Sequence, residues 1–346
     1  LKSTRRLELN TLSKPSRGQP PIVSMAEQPP AMRVGSLPGM VTLSDATLPE
    51  SLVREYLDHL GLVAADLRPD LESLVRLQEA HVDRVAYENL DIHLPRPFRA
   101  PLDGVSSAIR VSKQHRGGYC FILVDAYSAL LRCLGFSISL HCGSVGPEPI
   151  DPNNWGNHVV CLVHIDGRAY VSDVGLGDGP IRPFALQEAS WCEEGFSFRL
   201  EDRSSGVWRF VHDATGAFPG FSMDVSSSAR AVHEFERYHD FFCTSPDSQF
   251  KSTGVVLQRA TPEGKLIMMS CTLKLKPPSS SGETAKVLKV VTSCEEWLQA
   301  MVENFGLQLD LTPEECLTMW ERVLHYHSVW SKKMIAQTPN PVQPEL

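Results

Sequence analysis

From about residue 48 to residue 134 apolar side chains recur at helical spacing. Leu52, Val53, Tyr56, Leu57 and Leu60 line one face of a first helix, and Gly61 ends it. Pro69 suits the first position of a second helix that carries Leu71, Leu74, Val75 and Leu77. A third helix reads from Cys120 through Val124, Tyr127, Leu130, Leu131 and Leu134 to a stop at Gly135. There the period drops to two. Phe136, Ile138, Leu140 and Cys142 alternate with Ser137, Ser139 and His141, as in a half-buried strand. Further strands are expected over 158–165, 168–174, 195–200, 207–212, 254–260, 265–275 and 285–292. Turns such as Asp166-Gly167 and Pro262-Glu263-Gly264 join some of them, and 277–282 reads as a loop. Ser293 with Glu296, and Thr312 with Glu315, form capping boxes for two closing helices, with Pro313 in the first turn of the second. The order is helices, a strand-rich middle, then a mixed end: an α+β chain without internal repeats.

A length of 346 residues allows two or three packed modules. The composition, 42% hydrophobic with a mean hydropathy of -0.14, predicts a chain that folds and stays in solution. There is no apolar run of about 18 residues, so no membrane partner is expected. The formal charge of -8, without a basic run, argues against nucleic acid. Nine scattered cysteines (120, 133, 142, 161, 192, 243, 271, 294 and 316) make no CxxC pair, against a zinc ribbon or a secreted disulfide framework. No metal site is expected, and the compartment is read as the cytoplasm. Residues 1–43 differ from the rest: rich in Ser, Pro and Arg, they read as a disordered leader or non-native extension, with Met25, Met32 or Met40 as the start. The alternative for them is an organelle transit peptide.

Chemistry concentrates at Arg116-Gly117-Gly118-Tyr119-Cys120. Two glycines permit a tight turn, and the cysteine then opens a helix. Unpaired N–H groups and the helix dipole there favour a thiolate, and could later hold a tetrahedral oxyanion. The hairpin around Asp166-Gly167 supplies a second half. If Ile165 pairs with Arg168, Asp173 falls opposite Val160 and diagonal to His158, about 7–8 Å apart backbone to backbone and within side-chain reach. A carboxylate holding one imidazole nitrogen while the other faces a thiol is the logic of a Cys-His-Asp triad: Cys120, His158, Asp173.

These residues resemble the arylamine N-acetyltransferases. The family's Arg-Gly-Gly-aromatic-Cys is met at 116–120, its catalytic His at His158, and its Asp-x-Gly-x-Gly at Asp173 to Gly177. Its aromatic-Glu-Asn-Leu is met at Tyr87-Glu88-Asn89-Leu90, and Thr244 to Ser248 and Phe305-Gly306-Leu307 follow in family order. The similarity covers about residues 50–310. The resemblance implies a helical bundle over 44–135 carrying Cys120, and a β-barrel over 136–240 carrying His158 and Asp173. An α/β lid over 241–331 and a flexible tail over 332–346 would follow, around a papain-like core. It implies acyl transfer from acetyl-coenzyme A, or another acyl-coenzyme A, through a Cys120 thioester to an arylamine, arylhydroxylamine or hydrazine. Glu88 and Arg116 would brace the site as an ion pair. Tyr87 and Leu176 would line the acceptor pocket, and Phe241 and Ser248 would lie near the coenzyme. One departure stands out: where the family carries Glu or Gln and then Asn after the cysteine, this chain has Ile122 and Val124. A papain-like or transglutaminase-like hydrolase with the same triad, and a weakly active paralogue acting as a binding protein, are the alternative readings.

Overall fold

In the computed structural model, which describes residues 47–94, 99–229, 231–261 and 263–337, five helices come first. They are α1 (Glu50–Leu60), α2 (Leu71–Arg84), α3 (Leu90–His93), α4 (Val105–Ser112) and α5 (Cys120–Cys133), with a short strand β1 (Tyr87–Glu88) between α2 and α3. Gly61 ends α1 at φ 68°, in the left-handed region where a side chain is strained. Pro69 is not the first residue of α2. Asp70 caps that helix instead, its carboxylate accepting from Ser73 N, because a short acceptor satisfies an orphan amide where proline cannot. Every residue of α5 from Cys120 to Leu131 is buried, so this helix is the central pillar rather than an amphipathic cover.

An eight-stranded antiparallel sheet follows: β2 (Ser137–Val145), β3 (His158–Ile165), β4 (Arg168–Val171), β5 (Phe184–Ala185), β6 (Ala189–Glu193), β7 (Phe196–Asp202), β8 (Val207–Val211) and β9 (Gly220–Ala229). Its order is β5-β4-β3-β2-β9-β8-β7-β6. The edges β5 and β6 share no ladder; the rings of Phe184 and Trp191, centroids 4.8 Å apart, bring them together. The sheet is thus a curled half-barrel filled by Phe196, Phe198, Phe210 and Phe221.

After α6 (Glu236–Thr244) and α7 (Gln249–Thr253) comes a second sheet of β10 (Val256–Thr261), β11 (Gly264–Met269), β12 (Thr272–Lys276) and β13 (Lys286–Val290). Its order is β1-β10-β11-β12-β13, so the first strand comes from the helical part of the chain. The single strand expected over 265–275 is two. Met269 pairs with Thr272 across a tight turn, with Ser270 at φ 51°. Helices α8 (Cys294–Phe305) and α9 (Pro313–Gln337) cover this sheet. Thr312 and Glu315 complete a reciprocal capping box, at 2.9 and 3.3 Å. At α8 Ser293 caps Glu296 N, while the Glu296 carboxylate reaches Thr292 N instead of the cap residue. Helix α9 continues through 332–337, which the sequence reading gives to a flexible tail. The leader 1–43, residues 338–346 and the turn residue Pro262 lie outside the described residues. Among those described, no helix is long and apolar enough to cross a membrane.

Candidate active site

The turn before α5 is built for close approach. A Cβ on Gly117 would overlap the Ala86 carbonyl, and one on Gly118 would lie 2.6 Å from Ile122 Cβ. The turn runs beside β1, Glu88 N donating to Gly118 O at 3.0 Å. Tyr119 precedes the helix with its hydroxyl tied to His239 Nδ1 at 2.6 Å, and no side chain caps the first turn. Cys120 is therefore the first residue of an uncapped, 14-residue helix, with its amides free to face an anion. It is 5% exposed.

The hairpin register is the expected one. Asp166 (φ 49°) and Gly167 (φ 74°) make the turn, and Ile165 pairs with Arg168. The ladder runs to Leu162–Val171, and Ser172 N continues it to Cys161 O at 2.9 Å. Asp173 then turns its carboxylate to His158, Oδ2 to Nε2 at 2.7 Å, while its Oδ1 accepts from Gly175 N at 2.8 Å. Both residues are buried. The Asn157 carbonyl lies 3.8 Å from Cys120 Sγ, and the Asn157 side chain is clamped to both backbone groups of Val145. The residue paired with His158 across the sheet is Gly143, where a Cβ would crowd His158 Cβ and Cδ2 at 3.2 Å. That glycine leaves room for the imidazole, and nothing in the sequence pattern marks it.

Burial would depress the His158 pKa. The Asp173 carboxylate, by charge and hydrogen bond, and then the Cys120 side chain outweigh it and raise the pKa to about 10. The site thus favours the protonated ring, with the Asp173 carboxylate on its Nε2.

Glu88 and Arg116 meet, and they are half of a larger cluster. Glu88 Oε1 accepts from Arg116 Nη2 at 2.8 Å and from Arg110 Nη2 at 2.7 Å. Asp91 binds both guanidiniums, at 2.9 and 2.8 Å. Burial pushes the Glu88 carboxyl up, but Arg116 and then Arg110 hold it below the usual range. Arg110 also donates to Gly117 O, so the cluster grips the turn that carries the nucleophile candidate. Sequence reasoning missed Arg110 and Asp91. The only hint was a charge inside an apolar helical stretch, Ala108-Ile109-Arg110-Val111.

Tyr87 and Leu176 line a narrow space of about 10 Å³ together with Asp173. Gly177 (φ 74°) lies against the Tyr87 ring. Phe241 packs on the core around α5, and the Ser248 hydroxyl is fully buried with no hydrogen-bond partner among the described residues. Phe250 of α7 packs on Tyr119, centroids 5.3 Å apart. Ile122 sits under Gly118, and Val124 Cγ2 would lie 3.2 Å from a Cβ on Gly175. The two apolar residues thus fill space against the two glycine turns of the site. Among the described residues no group of three or more His, Cys, Asp or Glu is placed to hold a metal ion.

The sequence profile described as N-acetyltransferase matches residues 70–314, more than two thirds of the chain. Arylamine N-acetyltransferase 1 of Homo sapiens is 25% identical over 288 residues, 76% of this chain and 97% of that one. Among solved structures, the arylamine N-acetyltransferase of Nocardia farcinica superposes with a TM-score of 0.67 at 26% identity, covering 81% of this chain and 97% of that one. The Mycobacterium marinum enzyme in complex with CoA shares the fold, with a TM-score of 0.67 at 22% identity over 78% of this chain and 98% of its own.

Proposed function

This chain belongs to the N-acetyltransferase family and is an acyltransferase, and on that premise we propose that Cys120, His158 and Asp173 move an acetyl group from acetyl-coenzyme A to an arylamine, arylhydroxylamine or hydrazine. The observation that carries this is the buried 2.7 Å contact of His158 with Asp173, on a ring whose proton the Cys120 side chain also helps to hold. In this cycle Cys120 acts as the thiolate and His158 as the imidazolium. The Cys120 sulfur attacks the thioester carbonyl, and the first-turn amides of α5 face the developing oxyanion. The carbon–sulfur bond to coenzyme A breaks, and His158 gives its proton to the departing thiolate. The acceptor nitrogen then attacks the Cys120 thioester and His158 takes the proton from that nitrogen. Amide release restores the ion pair. Asp173 keeps the ring oriented throughout and stabilises it whenever it carries the proton.

The Mycobacterium marinum relative binds CoA. In this chain the unpartnered Ser248 hydroxyl, with Phe241 nearby in α6, is the feature that fits a coenzyme contact. Tyr87 and Leu176, beside Asp173, fit the acceptor pocket. Nine unpaired cysteines fit a reducing compartment, which supports the cytoplasm as the place of reaction. Incubation with acetyl-coenzyme A alone, followed by intact mass, tests the mechanism. The wild type gains one acetyl group and Cys120→Ala gains none. A gain in Cys120→Ala, or none in the wild type with acetyl, propionyl or malonyl donors, ends this reading; a hydrolase releases coenzyme A without keeping the adduct.

A further inference from the structure

A cavity of about 260 Å³ opens between α2, the loop after Pro180 and the strands β6, β7 and β11. Val82, Ile181, Phe196, Phe198 and Ala260 give it an apolar, partly aromatic wall. Its volume falls just below the roughly 300–1,000 Å³ of drug-sized sites, so it suits a single ring. Lys265 of β11 lines both this cavity and the narrow space beside Asp173, as do Val82 and Ala260. The cavity therefore backs onto the triad without belonging to it.

Lys265 is the anomaly. It is only 4% exposed, yet among the described residues its ammonium forms no ion pair. Its contacts are one hydrogen bond to Gly179 O at 2.7 Å and the face of the Phe196 ring, 5.3 Å from the centroid. An ammonium carries three donors, so a single carbonyl leaves the others unspent at the cavity wall. Burial lowers its pKa; the charges of Asp178 and Glu193 oppose that from beyond contact. Each carboxylate is engaged elsewhere through one oxygen. Asp178 accepts from Ala217 N at 2.7 Å and lies against His212, and Glu193 accepts from Ile181 N at 2.5 Å. At the mouth Glu79 is held by Arg182, while Asp83 and Glu194 are exposed and screened by water. A buried cation without a counter-charge is costly, and a carboxylate delivered by a ligand into a low-dielectric pocket offsets that cost.

We propose that this cavity is a binding site for a small aromatic carboxylate: the ring lies against Phe196 and Phe198, and Lys265 receives the carboxylate. This goes beyond the acyl transfer proposed above. The test, calorimetric titration of the whole chain with benzoate and with neutral benzamide, contains no acyl donor, so it stands whether or not Cys120 is the nucleophile. Benzoate should bind about tenfold tighter than benzamide, or better, as a charge-assisted hydrogen bond allows. Lys265→Met should bring the two ligands to within roughly twofold of each other. Lys265→Arg, which keeps the cation should the methionine variant fail to fold, should retain the preference. Equal affinity of the two ligands for the wild type, or unchanged benzoate affinity in Lys265→Met, overturns the proposal. The acid could be the acceptor's own substituent or a separate effector. Benzoate that raises KM for a neutral arylhydrazine at constant kcat assigns the first, and a change in kcat alone assigns the second; either supports the site.

Discussion

His158 keeps its proton because two neighbours overcome its own burial. The ordinary pKa of 6.5 is raised to about 10 in the folded chain, so the stability this group contributes is complete below 6.5 and is lost as pH rises through 10. Urea unfolding of the wild type should therefore weaken from neutral pH towards pH 10 more than that of Asp173→Asn, which has lost the main upward influence. In that variant the imidazole nitrogen signals should titrate at lower pH, and acyl transfer should fall on the order of 10³–10⁴-fold. An imidazole titration left where it was would separate Asp173 from the ring. His158 and Asp173 were legible beforehand because a two-residue turn fixes register and the pleat fixes facing. Gly143 was not, since its only function is to leave a neighbour room, and that shows only across strands.

At the level of elements, the site is held by where strands and helices end. Glu88 leaves β1 and joins two guanidiniums from α4 and the α5 turn, while its Oε2 accepts from Leu90 N at 2.7 Å to start α3. Glu88→Gln keeps the shape but leaves two buried cations short of a partner. It should cost about 3–5 kcal/mol, read as a lower urea midpoint. A loss below about 1 kcal/mol would class the cluster with surface pairs. The sequence reading paired Glu88 with Arg116 through the resemblance and could not see Arg110, because a charge on a helix reads by default as solvated. The fused strand over 265–275 has a similar cause. Leu266 with Met268 and Leu273 with Leu275 each keep the spacing of a strand, and the turn at Ser270-Cys271 carries none of the Gly, Asn or Pro that marks such a break.

For the whole molecule, the order of helices, a strand-rich middle and a mixed end was legible from changes of period along the chain, while the barrel and the lid came only with the family resemblance. What period cannot show is that β1 pairs with β10, Tyr87 with Gln258 and Glu88 with Leu257. Asn89 adds side-chain bonds to Gly254 O and Val256 N, both at 2.8 Å, and Ala86 and Leu90 sit in the core of the later sheet. The last third is therefore not self-sufficient. A fragment of residues 241–337 should give a collapsed amide spectrum, and a well-dispersed one would show that β1 is dispensable. The same pairing sets a timetable during synthesis. Because the Cys120 turn leans on β1 and β1 pairs with β10, a growing polypeptide holds that sulfur in an unfinished cradle until residues near 260 have left the ribosome, so the proposed reactive centre is among the last things a newborn chain completes.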